Sequence, residues 1–108
     1  MTNLEINIAI AEMCGWGFLS KDKFIVIPPN SPYSVQPLST IPDYVNDLNA
    51  MHDAEKVLTS EQINEYADWL LVICNSASSK NQHWFNATAS QRAEAFLRTI
   101  GKWKEDKP

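Results

Sequence analysis

The sequence predicts an α+β domain in which helices cover a small sheet. Three capping boxes, each a threonine followed three residues later by Glu or Gln, mark helix starts at Thr2, Thr59 and Thr88. The β-branched run KFIVI, bounded by charge and proline, predicts a strand. A chain of 108 residues can bury one core. We therefore expect a single domain, residues 1–108, with four helices and two to three short strands.

The first helix is expected to begin after Thr2 and to end at Gly15. Apolar side chains recur in it at helical spacing, and glycine is a common terminator. GWGF then turns the chain into KFIVI. Residues 28–42 hold five of the six prolines and no charged residue, so neither a helix nor a central strand is expected there. This proline-rich loop, with Tyr33 in its middle, is either a lid over a site or an exposed linker.

The second helix is predicted from Pro42 to Leu58. On a helical projection, Asp47 and Glu55 lie inside its apolar face or at the edge of that face. A buried carboxylate is costly unless it is paired, and Arg92 on the last helix is the expected partner of Asp47. Three roles for Asp47 stay open: an ion pair that fixes helix register, the polar floor of a ligand pocket, and a catalytic carboxylate.

The last two helices follow from the remaining capping boxes. The third begins at Thr59 and is expected to run to about residue 72, although WLLVIC at 69–74 is also compatible with a strand. HWFNA, after a polar loop, is a further strand candidate. The fourth helix begins at Thr88 and ends at Gly101.

Composition and charge argue against several function classes. The formal net charge of −4 disfavours binding to the phosphate backbone of duplex nucleic acid. Cys14 and Cys74 are expected to be reduced core thiols, and no Cys or His lies at metal-ligand spacing, so neither metal nor cofactor is expected. We expect no secretory leader, and the sequence holds no apolar run long enough for a membrane span. We expect a cytoplasmic protein without a membrane partner.

Three segments resemble a known family. MCGW, IPDYVNDLNAMHDAEKVL and ATASQRAEAFLRTIGKW are similar to segments of the small phage and prophage proteins of the phage ABA sandwich domain family. The resemblance covers residues 7–103 and implies a sheet with helices on both faces, in a protein made in the host cytosol. Pro42, Tyr44 and Asp47 match the family's second motif, although its small hydroxyl residues are replaced here by Val and Asn. The resemblance implies an origin and no particular activity.

The preferred functional hypothesis is a non-enzymatic anti-defence protein that binds and sequesters a small nucleotide-derived ligand of host immune signalling. Such a protein needs aromatic rings to stack on a base and cations to hold phosphate. Arg98, paired with Glu94 on the outward side of the last helix, and Lys102 are available cations. The predicted ligand-binding residues are Trp16, Tyr44, Asp47, Trp84, Arg92 and Arg98, and no residue is assigned a catalytic role.

Two alternatives come from other function classes. Four tryptophans in a short chain favour a protein–protein interaction module, an inhibitor of a host factor or a subunit of a homo-oligomer. A hydrolase that uses Asp47 or Glu55 with His52 is the weaker alternative. His52 lies roughly 140° around the projected helix from Asp47, which disfavours a direct pair.

Overall fold

Four helices and a three-stranded antiparallel sheet form the described part of the chain, as predicted. The computed structural model describes residues 1–18, 25–29, 31, 34–76 and 87–104, with residues 75 and 76 described by their backbone alone. The helices are α1 Asn3–Met13, α2 Leu48–Glu55, α3 Ser60–Ser76 and α4 Ala89–Thr99, and the strands are β1 Gly17–Phe18, β2 Ile25–Ile27 and β3 Gln36–Pro37. The α+β class is confirmed.

The three predicted capping boxes are all present. At α1, Thr2 Oγ1 accepts from the Glu5 backbone amide at 3.1 Å, and the Glu5 carboxylate accepts from the Thr2 amide at 3.2 Å. The same reciprocal bonds begin α3 at Thr59 and α4 at Thr88. Helices α1 and α4 are followed by glycines at positive φ, 99° at residue 15 and 75° at residue 101. These helix boundaries are therefore set by local chemistry.

Helix α3 is longer than predicted. WLLVIC continues it, and the helix ends at Ser76 rather than near residue 72. Tyr66, Leu70 and Cys74 are buried at successive i,i+4 positions. This spacing gives α3 one continuous apolar face against α4, which settles the helix-or-strand ambiguity in favour of helix. Residues 83–86 of HWFNA lie outside the described residues, as does Tyr33, so this strand candidate is not tested.

The second helix was predicted too long. It begins at Leu48, and the residues before it form a turn in which the Asp47 amide donates to the Asp43 carbonyl at 2.8 Å. The side chain of Asn7 in α1 stabilises this turn through two hydrogen bonds. Its Nδ2 donates to Asp43 Oδ1 at 3.0 Å, and its Oδ1 accepts from the Val45 backbone amide at 3.1 Å. A contact between distant parts of the chain therefore replaces the predicted first turns of helix.

The sheet is small and uses part of the proline-rich loop. Strand β2 lies in the centre, with Val26 paired to Phe18 of β1 and to Gln36 of β3. Pro37 lies in an edge strand, where the missing backbone donor is tolerated. A 3-10 turn, Leu38–Thr40, follows β3, and it corrects the expectation that the loop holds no helical turn.

Helix α4 is the centre of the core. It contacts α1, α2 and α3, and its Ala93, Phe96 and Leu97 have no exposed surface. Helix α2 contributes the fully buried Met51, and the sheet contributes Val26. The domain is thus built around one helix rather than around the sheet. Within the described residues, no helix has the length and apolar character needed to cross a membrane.

Candidate functional site

Asp47 is a helix cap and not a member of an apolar face. Its Oδ1 accepts from the backbone amides of Asn49 at 3.0 Å and Ala50 at 3.3 Å, and the side chain is exposed. Aspartate is among the residues preferred at this position because it satisfies amides that the first helical turn leaves unpaired. The projection failed because Asp47 precedes the helix, so the helical angle does not apply to it. The predicted Asp47–Arg92 pair is wrong.

Arg92 is nevertheless buried and paired with an acid from α2. Its Nη1 lies 3.2 Å from Glu55 Oε2, its Nε donates to the Ala87 carbonyl at 3.2 Å, and the residue is 7% exposed. The other carboxylate oxygen of Glu55 lies 3.0 Å from His52 Nδ1. The predicted role for Arg92, an ion pair between the second and last helices, is therefore present with Glu55 as the partner.

The hydroxyl of Tyr66 from α3 is buried beside this pair. Among the described residues it has no hydrogen bond of standard geometry. Burial and the neighbouring Glu55 carboxylate raise the pKa of Tyr66, while Arg92 opposes that rise. The three side chains join α2, α3 and α4 in one polar network inside the helical core. The half-exposed His52 contacts Glu55, and this His–carboxylate pair is the one that the hydrolase alternative would use.

The predicted aromatic residues lie elsewhere. Tyr44 is 3% exposed, and burial raises the pKa of Tyr44 and of the neighbouring Cys14. Trp16 is partly buried against the same part of the core. Tyr44 therefore has no free ring face for stacking on a ligand. Trp84 lies outside the described residues.

Arg98 packs on aromatic rings instead of pointing freely into solvent. Its Nε forms the predicted pair with Glu94, at 2.8 Å from Oε2. Its Cζ atom also lies 5.1 Å from the ring centroid of Trp69 and 5.4 Å from that of Trp103. A guanidinium over an aromatic face within about 6 Å makes a favourable cation–π contact. Arg98 is thus occupied by contacts within the protein.

One opening is a groove between α1, the start of α3 and the segment after α4. Its volume is about 600 Å³, within the range of small-molecule sites. A smaller opening, about 380 Å³, lies between α1 and the 3-10 turn. Apolar side chains line much of the larger groove, and charged and polar groups complete its lining: Met1, Ile8, Ala9, Met13 and Ile100, with Glu5, Glu12, Gln62, Lys102 and Lys104.

Two lysines bring positive charge to this groove, which the carboxylates of Glu5 and Glu12 and the Met1 ammonium also line. Among the described residues, neither the Lys102 nor the Lys104 ammonium has an ion-pair partner. The carboxylate of Glu5 is engaged in the capping box of α1. The sequence pointed to Lys102 as a cation but gave no reason to distinguish Lys104 from ordinary surface. The signal in the sequence that could have identified both lysines was their spacing, two residues apart in the segment that follows Gly101.

None of the predicted ligand-binding residues in the described part of the chain lines this groove. In comparisons with known proteins, no family model, curated protein or solved structure matches the chain. The resemblance to the phage ABA sandwich proteins therefore stays a prediction from the sequence motifs.

Proposed function

We propose that this protein binds and withholds a small anionic ligand in the groove between α1, α3 and the segment after α4. One observation carries the proposal: apolar side chains and two ammonium groups that have no ion-pair partner among the described residues line the same opening of about 600 Å³. Apolar surface supplies affinity, and a few polar groups orient the ligand. Phosphate held by lysine side chains is a common form of such a site.

A nucleotide-derived compound is the ligand class that we propose first. Lys102 and Lys104 would hold its phosphates, and Ile8 and Met13 would face its base. Because the described residues that line the groove include no aromatic ring, the base would pack against aliphatic and thioether groups rather than stack. The setting that fits this role is the cytosol of a phage-infected cell, where the protein would withhold an immune signal.

Binding without turnover is supported by the chemistry of the lining. Among the described residues, those that line the groove include no Ser, Cys or His, and its two carboxylates, Glu5 and Glu12, belong to one helix, with Glu5 engaged in the capping box. The His52–Glu55 pair is absent from both described openings. We therefore propose a protein that sequesters its ligand and does not convert it.

The test is thermal denaturation against a panel of cyclic and ADP-ribose-type nucleotides, followed by calorimetric titration. A ligand at 100 times its dissociation constant adds about 2.7 kcal/mol to the stability of the folded state. Lys102→Glu should weaken binding by about tenfold or more, whereas Lys56→Glu, the same charge change at an exposed site outside the groove, should not. A panel without any shift would contradict the nucleotide proposal, and recovery of a cleaved product would indicate an enzyme.

A second candidate, a protein–protein interaction module, is favoured by the outer face of α3. Leu71 and the adjacent Val72 point away from the buried face of the helix and are 45% and 53% exposed. Sedimentation velocity over a range of concentrations would test self-association through this face. Leu71→Glu should abolish any concentration-dependent species, whereas a wild type that stays monomeric would contradict the homo-oligomer form of this function.

A further inference from the structure

We infer that Trp69, Arg98 and Trp103 form a clasp that positions Lys102 and Lys104 over the groove. The inference rests on the proposed function, because it assigns a positioning role in ligand binding to three residues that do not line the groove. The clasp joins α3, α4 and the segment after α4. It would explain how two lysines beyond the last helix are held in a defined place.

The side chains of the clasp are stacked and oriented. Arg98 lies over both indole rings, with its Cζ atom 5.1 and 5.4 Å from their centroids. The carboxylate of Glu94, one helical turn earlier, fixes the guanidinium through a contact of 2.8 Å to Nε. Because Glu94 and Arg98 are about three-quarters buried, their contact is more than a solvent-exposed surface pair. Arg98 thereby connects the ring of Trp69 to the ring of Trp103.

The backbone after α4 leads directly from the clasp to the groove. Gly101 has a φ of 75°, and the amides of Lys102 and Trp103 both donate to the Leu97 carbonyl, at 2.8 and 3.2 Å. At the far end, the Met1 ammonium lies 3.4 Å from the Lys104 carbonyl. The segment is thus attached to the helix end at one side and only weakly to α1 at the other. A side chain that anchors the segment between these two attachments therefore has a large effect on the position of the segment.

Trp103 is that anchor, and its neighbours lie in the groove. Lys102 and Lys104 line the opening, whereas Trp103 between them packs on Arg98 and the core. The buried Trp103 Nε1 has no hydrogen-bond partner among the described residues, so stacking rather than hydrogen bonding holds the indole. Loss of the Arg98 cation should therefore release the segment, and with it both lysines.

The variant that tests the clasp is Arg98→Met, which keeps an unbranched apolar chain and removes the cation. Hydrogen exchange of the Lys102 and Trp103 amides should become about tenfold faster, with the amides in the middle of α1 and α3 unchanged. Arg98→Lys, which keeps a cation over the rings, should restore most of the protection. Unchanged exchange at the two amides in Arg98→Met would overturn the clasp, whatever the protein binds.

Binding is measured separately, with ADP as the probe. If the clasp positions the lysines, Arg98→Met should lose about as much ADP affinity as Lys102→Glu, and Arg98→Lys should recover it. Wild-type affinity in Arg98→Met, together with fast exchange, would overturn the positioning role. A wild type that does not bind ADP, with fast exchange in Arg98→Met, would count against the proposed nucleotide ligand and against the positioning role while leaving the clasp intact.

Discussion

The two arginines of α4 differ in what they do, although they lie on the same helix. Arg92, near its start, is 7% exposed and contacts Glu55 of α2. Arg98, near its end, is about a quarter exposed and contacts Glu94 of its own helix. A buried pair between helices is costly to break, whereas a partly buried pair within one helix contributes less to global stability. The position of the acid along the chain, and not the arginine itself, decides the structural role.

The same comparison bears on ligand binding. Arg92 is buried, with its Nε bound to a backbone carbonyl and its Nη1 to a carboxylate, and it does not line the groove. The free cations of the groove come instead from Lys102 and Lys104, beyond the end of the helix. Arg98 contributes to ligand binding indirectly, because the proposed clasp positions the two lysines without contacting the ligand. The start of α4 therefore serves folding, and its end serves the proposed site.

Arg92→Met should have the largest effect. Removing the guanidinium leaves Glu55 without its buried partner, and we expect the free energy of unfolding to fall by about 3 kcal/mol, the lower end for a buried pair. The lower end applies because Glu55 keeps His52 and some contact with water. Urea denaturation monitored by circular dichroism measures the change. A loss below about 1 kcal/mol would remove the distinction between the two arginines.

Glu55→Gln should have the next largest effect, about 2 kcal/mol, because the amide can still accept from Arg92 but no longer neutralises it. The double variant with Arg92→Met separates the pair from its surroundings. Its loss of stability should be smaller than the sum of the two single losses by about 1 kcal/mol or more. Additive losses would show that the two side chains act independently.

Local signals made most of the helices predictable. The capping boxes at Thr2, Thr59 and Thr88 act within four residues, and glycines 15 and 101 follow α1 and α4, so the sequence alone defines these boundaries. The start of α2 was misplaced even though Asp47, a preferred N-cap residue, is a local signal for it. Asn7, far away along the chain, holds the Asp43 turn and shortens the helix. Helical periodicity contains no information about such a contact.

The site was predictable only in part, for the same reason. The burial of Arg92 beside the apolar stripe of α4 and its pairing with α2 followed from helical spacing, but the choice between Asp47 and Glu55 depended on where α2 begins. The contact of Arg98 with Trp69 and Trp103 depends on how α3 packs against α4. A cation–π contact between separate elements leaves no periodic signal in the sequence.

Asp47→Ala tests the corrected role of this residue. Loss of the cap should reduce stability by about 1 kcal/mol, less than either change at the buried pair. Asp47→Ser keeps a side-chain oxygen for the same amides and is the matched control, with an expected loss of a few tenths of a kcal/mol. Urea midpoints of both variants at neutral pH measure the difference. A loss as large as that of Arg92→Met would restore the idea of a buried, paired Asp47.

Arg98→Met should reduce global stability by only about 0.5–1 kcal/mol, since its ion pair is local and its cation–π contacts are partly solvated. Differential scanning calorimetry of this variant beside Arg92→Met gives the comparison in one experiment. The midpoint of Arg98→Met should stay close to that of the wild type. A decrease equal to that of Arg92→Met would mean that the end of α4 is as important for folding as its start.

The comparison of buried and exposed charged groups also includes Asp43, a carboxylate on the surface. Hydrogen bonds from the Asn46 and Asn7 side-chain amides lower the pKa of Asp43 below its usual value of 3.8. The ionised group therefore stabilises the fold above about pH 4, and this contribution is lost as the pH falls through the lowered pKa. Asp43→Asn should flatten the decrease in stability as the pH falls from about 5 through the lowered pKa. Because water screens this exposed group, the difference in stability between the wild type and Asp43→Asn should be the smallest of the five predicted effects. Urea midpoints of both proteins across that range of pH measure it. Parallel curves would show that the two amides do not favour the charged form, and the acid sensitivity of the fold would then lie in other carboxylates.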